Sequence, residues 1–238
     1  MSKINGYIIY EGESQLNGEN IVAIVTLKST NIKTGNMASM WIMNADIPPT
    51  KASKLGKDES VCGDCKHRPI NNGACYVTLH HAPLAVYKAY KRGNYPITND
   101  MTIFEDMKVR FGAYGDPSAI PTQILASIKA VVKNNTSYTH QWKQGDKILK
   151  QVSMASVDSI EEQKQAVAEG WRTFRVTSDL SDKLPNEIVC PNTTKAIQCA
   201  DCGLCSGTST RARNIVIEVH GAKKKKFVKQ QELTTQQG

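Results

Sequence analysis

The chain contains no run approaching the ~20 consecutive apolar residues that a membrane-spanning helix needs, so no membrane partner is expected. The N-terminal stretch Met1-Ser-Lys-Ile-Asn-Gly6 lacks the apolar core of a secretory signal, which points to a cytoplasmic location. Also missing are a phosphate-cradling Gly-Lys-Ser/Thr loop, a dinucleotide-binding glycine fingerprint and the His-Glu motif of zinc proteases, and those classes drop out. No internal repeat recurs.

What is present is a chain of 238 residues, 40% hydrophobic, long enough to bury a substantial core. It carries seven cysteines. An odd count, in a chain of this length and without an export signal, argues against a disulfide framework and for metal binding in a reducing compartment. The net charge of +8 hints at a polyanionic partner, yet half of it sits in the last 18 residues, where Lys223 to Lys226 and Lys229 face only Glu232. That lysine-rich end reads as a basic, flexible tail (221–238) able to contact nucleic acid phosphates without reading sequence.

Hydrophobic patterning divides the rest. A small N-terminal β region (1–46) is expected from the stretches 6–10, 21–28 and 37–43, separated by turn residues. A cysteine-bearing loop (47–82) opens on Ile47-Pro48-Pro49 and reads as irregular through Gly73. From 83 to 220, helix-like and strand-like segments alternate: helices at 83–91, at 119–132 with Ser118 as cap, and from Ser159-Ile-Glu-Glu162 to Gly170; strands at 108–113, 137–140, 149–154, 171–176, 187–190 and 214–219. This alternation predicts an α/β fold with a parallel sheet, a complete or partial TIM-like (β/α) barrel.

The strongest chemical signal is Cys190-Pro191 followed by Cys199-Ala-Asp-Cys202-Gly-Leu-Cys205. Thiols at successive two-residue spacings wrap one centre as ferredoxin-type runs do, and Cys190 supplies a fourth thiolate, giving a 4Fe-4S site. Zinc is the alternative, with His220 completing a Cys3His set with Cys199, Cys202 and Cys205. The second group, Cys62-Gly-Asp-Cys65 with Cys75, has no obvious fourth cysteine. It could hold zinc together with His67, His80 or His81, or a second cubane whose fourth iron stays open. Tyr114, Gly115 and Asp116, at a strand end, would face the rim of a barrel where ligands and catalytic groups sit, and so would His140 in Ser137-Tyr-Thr-His140. Asp116 and His140 are the candidate catalytic residues; Tyr114, Gly115 and Asp116 are candidate cofactor contacts. Arg172 and Arg175 fall on opposite faces of an ideal strand, so they cannot share a pocket.

On these motifs the chain resembles phage-encoded proteins of the "gene product 88" type, distant relatives of the radical S-adenosylmethionine barrel group. The resemblance is carried by Cys62, Cys65 and Cys75-Tyr76-Val77, Phe111-Gly-Ala-Tyr-Gly115-Asp116, Tyr138-Thr139-His140, Cys190-Pro191 with Cys199, Cys202 and Cys205, and Val219-His220. It implies a TIM-like barrel in a host cytoplasm, a three-cysteine cluster near the barrel mouth and an auxiliary four-cysteine cluster. The spacing of Cys62, Cys65 and Cys75 departs from the Cys-x3-Cys-x2-Cys of radical enzymes, and no glycine-rich motif for the methionine end of S-adenosylmethionine is present. Three functions follow as expectations: a radical-type iron-sulfur enzyme; a non-enzymatic, metal-stapled phage protein that binds nucleic acid or host machinery; and a zinc barrel enzyme acting on nucleic-acid bases.

Overall fold

A computed structural model describes residues 4–144 and 147–235. Its strands form two five-stranded sheets. In the first, β1 (Gly6–Glu13), β2 (Asn20–Thr26) and β3 (Ala38–Asn44) make an antiparallel meander. To β3 are added, in parallel, β4 (Lys108–Tyr114) and β5 (Asn134–Thr136). The second sheet is wholly parallel. Its strands run in the order β6 (Tyr138–Thr139), β7 (Met154–Val157), β8 (Thr173–Thr177), β10 (Asn214–Glu218) and β9 (Glu187–Val189).

Ser137 is the joint between the sheets. It separates β5 from β6, and its carbonyl accepts the Met154 N–H at 3.0 Å. The N-terminal β region is therefore continuous with the parallel strands through the β3–β4 ladder. The outer strands are β1 and β9, and no ladder joins them among the described residues, so no closed barrel is formed there.

Local sequence explains the layering. β2 presents Ile21 to Val25 in an unbroken apolar run, all fully buried, as a strand covered on both faces requires. β8 alternates instead: Thr173, Arg175 and Thr177 are buried and Phe174 and Val176 half-buried. The helices are α1 (Pro49–Leu55), α2 (Glu59–Cys62), α3 (Ala82–Lys91), α4 (Thr122–Val131), α5 (Lys147–Val152), α6 (Ile160–Ala168), α7 (Pro191–Lys195), α8 (Cys199–Cys202) and α9 (Lys224–Thr235). Leu125 and Ile128 of α4, Leu149 and Val152 of α5 and Ala166 of α6 join Ala155 and Val157 in the main core. The opposite face of the second sheet carries Met154, Phe174 and Ile215, packed with Cys190 and Cys205.

Four expectations are corrected. Residues 47–73 are not irregular: Pro49 sits at the first turn of α1, where its missing N–H costs nothing, and Gly56 ends the helix in the left-handed region. Residues 149–154 are not a strand, because α5 runs through Val152 and the strand begins only at Met154. Their β-branched and apolar residues lie on a buried helix face, which a short apolar run cannot distinguish from a strand. Asp116, not Ser118, caps the turn after β4, accepting the Ser118 N–H at 3.0 Å, and α4 starts only after Pro121. The segment taken as a flexible tail is also ordered within the described residues: α9 packs through Phe227, which is 5% exposed. By contrast, Ser159 caps α6 as its motif predicts, accepting the Glu162 N–H.

Candidate metal centres

The three-cysteine group lies where the parallel strands end. The chain leaving β3 forms α1 and α2, and Cys62 closes α2. A buried ion pair staples this loop. Arg68 donates from Nε and Nη2 to Asp58 Oδ1 at 3.0 and 2.9 Å and from Nη1 to the Gly63 carbonyl at 2.9 Å. The loop is tied to the sheet by the Asp116 N–H, which donates to the Val61 carbonyl at 2.6 Å, and by Gln141 Nε2, which donates to the Cys62 carbonyl at 3.2 Å. Glycine is required at two of these seams. A Cβ on Gly63 would come within 2.7 Å of the Gln141 amide, and one on Gly115 within 2.6 Å of the Ile42 carbonyl; both glycines have positive φ.

Burial, with the other thiols nearby, pushes the Cys62 thiol well up and that of Cys65 up to about 12; burial also raises Cys75. Thiols buried side by side resist ionisation, and a bound cation reverses that balance. Tyr114 lies fully inside next to Cys62 and Cys75, and burial raises its phenol.

Asp116 is a bracket. Its Oδ1 accepts from the Ser118 N–H, Ser118 Oγ and Thr139 Oγ1, and its Oδ2 accepts the His140 N–H at 2.8 Å. The candidate residues Asp116 and His140 therefore do meet, at the ends of β4 and β6. Asp158, at the end of β7, completes the rim. His67, inside the cysteine loop, approaches it with Nε2 2.6 Å from Asp158 Oδ2, and Lys66 Nζ stands 3.2 Å from the same oxygen. Burial works to raise the Asp158 carboxyl, but the His67 hydrogen bond and the charges of His67, Lys66 and His140 outweigh it and hold it well below the usual range. Burial pushes the His140 imidazole down. Over this cluster α9 lays Phe227, stacked on the His67 ring with centroids 5.7 Å apart.

His67 and Asp158 were legible only in part: His67 as a possible zinc partner of the cysteines, Asp158 not at all. Its one signal is its position directly after a strand. His80 and His81 are exposed and face each other, with ring centroids 4.5 Å apart.

The four-cysteine group lies on the sheet face opposite the helices. Cys190 ends β9 and precedes α7; Cys199 and Cys202 bound α8; Cys205 follows, buried, with the phenol of Tyr138 hydrogen-bonded to it. All four line one cavity whose other walls include Tyr138, Leu204 and Ile215. Burial pushes Cys205 up to about 12 and raises Cys190 and Cys199. His220 is not among the lining residues and is exposed, with Nδ1 3.1 Å from the Glu218 carbonyl, whereas Cys190 lines the cavity with Cys199, Cys202 and Cys205.

The loop carrying these cysteines is held from two sides. The Cys199 and Ala200 N–H groups donate to the carbonyls of Lys33 and Thr34. Arg172 Nη1 donates to the Leu204 and Gly207 carbonyls at 2.8 and 2.9 Å. Arg175 points the other way, into a buried pair with Glu187 at 2.8 Å, as the opposite-face argument requires.

Arg110 Nη2 is 3.1 Å from the hydroxyl of Tyr76, the residue after Cys75 in the chain, and Tyr138 and Cys199 are charge neighbours of the same guanidinium. Among the described residues, the group of three or more His, Cys, Asp or Glu side chains whose ligand atoms all lie within 4.8 Å is His67, His140 and Asp158; no cysteine trio is drawn that close.

No family model, curated protein or solved structure matches the chain.

Proposed function

We propose that the chain is an iron-sulfur protein of radical S-adenosylmethionine-like architecture, a partial (β/α) barrel of the phage-encoded kind that its motifs resemble. Cys190, Cys199, Cys202 and Cys205 would hold a closed 4Fe-4S cluster, and Cys62, Cys65 and Cys75 would hold a second one, supplying an iron with room for an outside ligand. The observation that carries this reading is the gathering of all seven cysteines into two groups of four and three.

The donor sets fit. Four thiols around one cavity, that of Cys205 buried and the others half-buried, would saturate a cubane, and three would leave one iron open to an outside ligand. Zinc, at about 2.3 Å from each sulfur, would need its thiolates roughly 3.8 Å apart. The run Cys199, Cys202 and Cys205 at successive two-residue spacings, instead of two separate pairs, favours the cluster. The rim residues then have separate tasks. Asp116, with both oxygens engaged, positions His140 rather than contacting substrate. Tyr114 lies beside Cys62 and Cys75, and burial lowers the His140 imidazole, which stands against His67. Phe227 restricts water there.

The test is the composition and chemistry of protein purified without air. About eight irons and a matching amount of sulfide per chain are expected, as two cubanes require. Reduction in the presence of S-adenosylmethionine should release 5'-deoxyadenosine. Colourless, zinc-loaded protein overturns the cluster assignment. Intact clusters that never cleave S-adenosylmethionine overturn the radical reading alone.

One observation favours a second, non-enzymatic reading. α9 turns Phe227 inward while Lys223, Lys224, Lys225 and Lys229 stay exposed beside the three-cysteine site, a basic face suited to a nucleic acid. If this face binds nucleic acid, replacing these lysines by glutamine weakens binding and lowers its salt dependence; unchanged binding contradicts the reading.

A further inference from the structure

We infer that His67, His140 and Asp158 form a third metal site, free of cysteine, for a divalent first-row transition ion at the rim of the sheet. Two imidazoles and one carboxylate, the rest of the shell being open, form the donor pattern that binds ions such as Fe(II), Mn(II) and Co(II). The three side chains come from three separate segments: the cysteine loop, the turn after β6 and the turn after β7. Their ligand atoms nonetheless all fall within 4.8 Å of one another.

Two features mark a prepared site rather than a chance meeting. Each residue is fastened through its backbone, the His67 carbonyl accepting the Cys75 N–H at 2.9 Å. Asp116 Oδ2 holds the His140 N–H at 2.8 Å; Glu162 Oε2 accepts the Asp158 N–H at 2.9 Å; and Gln231 Nε2 donates to the Asp158 carbonyl at 2.7 Å. Such outer contacts fix ligand orientation at metal centres. In addition, Phe227 stacks on His67, so one side is closed by an apolar ring while the charged groups face the other.

Lys66 Nζ lies 3.2 Å from Asp158 Oδ2. Its side chain is half exposed, and it has a second partner in Glu162 Oε1 at 3.4 Å, to which it can retire when an ion arrives. The simpler description, a His67–Asp158 ion pair, accounts for the 2.6 Å contact but not for the presence of His140 in the same cluster.

Manganese(II) is the probe, because hard oxygen and nitrogen donors hold it and thiolates do not compete well for it. Full-length protein with its cysteine sites already filled is titrated with manganese chloride, and bound ion is read from loss of the free-ion electron paramagnetic resonance signal. One manganese per chain is expected, with nitrogen couplings from two imidazoles in the pulsed spectrum of the bound ion. His140→Gln and Asp158→Asn should each weaken binding by about ten- to a hundred-fold or more. His220→Gln should leave it unchanged, and the iron and sulfide content should stay at the wild-type level in all three. A bound ion without imidazole coupling in the wild-type protein overturns the site, whatever the variants do. So does unaltered binding in folded His140→Gln and Asp158→Asn, which would leave only the ion pair. Neither result touches the cysteine assignments, which rest on separate measurements.

Discussion

The two cysteine groups differ in everything except their thiols. The four-cysteine group is walled by Tyr138, Leu204, Ile215 and Met154, its loop is held by backbone contacts and by Arg172, and no carboxylate or imidazole is among its lining residues. The three-cysteine group sits instead at the ends of parallel strands, where open α/β sheets place their ligands, and is bordered by Asp116, His140, Asp158 and His67 under the aromatic ring of α9. A saturated ligand set in apolar surroundings suits a stabilising or electron-holding centre. An unsaturated one among titratable groups suits chemistry. Arg110 has both Tyr76, the residue after Cys75, and Cys199 of the four-cysteine group among its neighbours.

The comparison is broken most severely through the thiols. Cys202→Ser should destabilise the fold by several kcal/mol, since the free energy of a structural metal is folding free energy, whereas Cys65→Ser should leave the fold standing and remove only the second metal. Thermal melts with metal counts separate the two, and equal losses of stability would erase the distinction drawn between the groups. Arg68→Met strands Asp58 as a buried, unpaired charge and should cost about 3–5 kcal/mol. Its signature in denaturant titration should be accompanied by loss of metal from Cys62, Cys65 and Cys75 with the other site retained.

Phe227→Ala should cost about 2–3 kcal/mol, less than an interior phenylalanine because α9 lies at the surface. Hydrogen exchange should then show protection lost over 224–235 and little change in the second sheet.

The rim should also make stability depend on pH in chelator-washed protein. His140 is depressed by burial, so below about pH 6.5 the unfolded chain takes up a proton that the folded one refuses, and stability falls as pH drops from 7 toward 5. Asp158 is likewise depressed; its contribution is complete above about pH 4 and is lost as pH falls further. His140→Gln should flatten the upper window and leave the lower one, as followed by Tm against pH.

The mildest change is Tyr76→Phe. It removes one hydrogen bond from Arg110, worth about 0.5–1.5 kcal/mol, and should alter neither metal content.

Both cysteine groups could be read from the sequence because ligand spacing is local: Cys199, Cys202 and Cys205 lie within two turns of chain, and Cys190 could be assigned from its place at a strand end. Most strands were legible for a similar reason, since alternation and apolar runs report burial, but 149–154 shows that a short apolar run fits a buried helix face equally well. What stayed hidden depends on contacts distant in sequence. Asp158 acquires meaning only when β7 brings it to His67, 91 residues away. The last helix was misread because Lys223 to Lys226 give a charged stretch with a single apolar anchor, and the pattern does not reveal that Phe227 has a ring to stack on. Barrel closure was likewise beyond the pattern, because βα alternation fixes the direction of strands and not whether the outer two meet.

The central claim is that one cysteine group is closed and the other open. Its most direct test is the electron paramagnetic resonance spectrum of the reduced, anaerobically loaded protein, recorded with and without S-adenosylmethionine, for the native chain and for Cys65→Ser and Cys202→Ser. Two cluster signals are predicted, one shifted by the added ligand and missing in Cys65→Ser, the other indifferent to it and missing in Cys202→Ser. Two signals that both ignore the ligand, or a ligand-sensitive signal that survives in Cys65→Ser, would contradict the account.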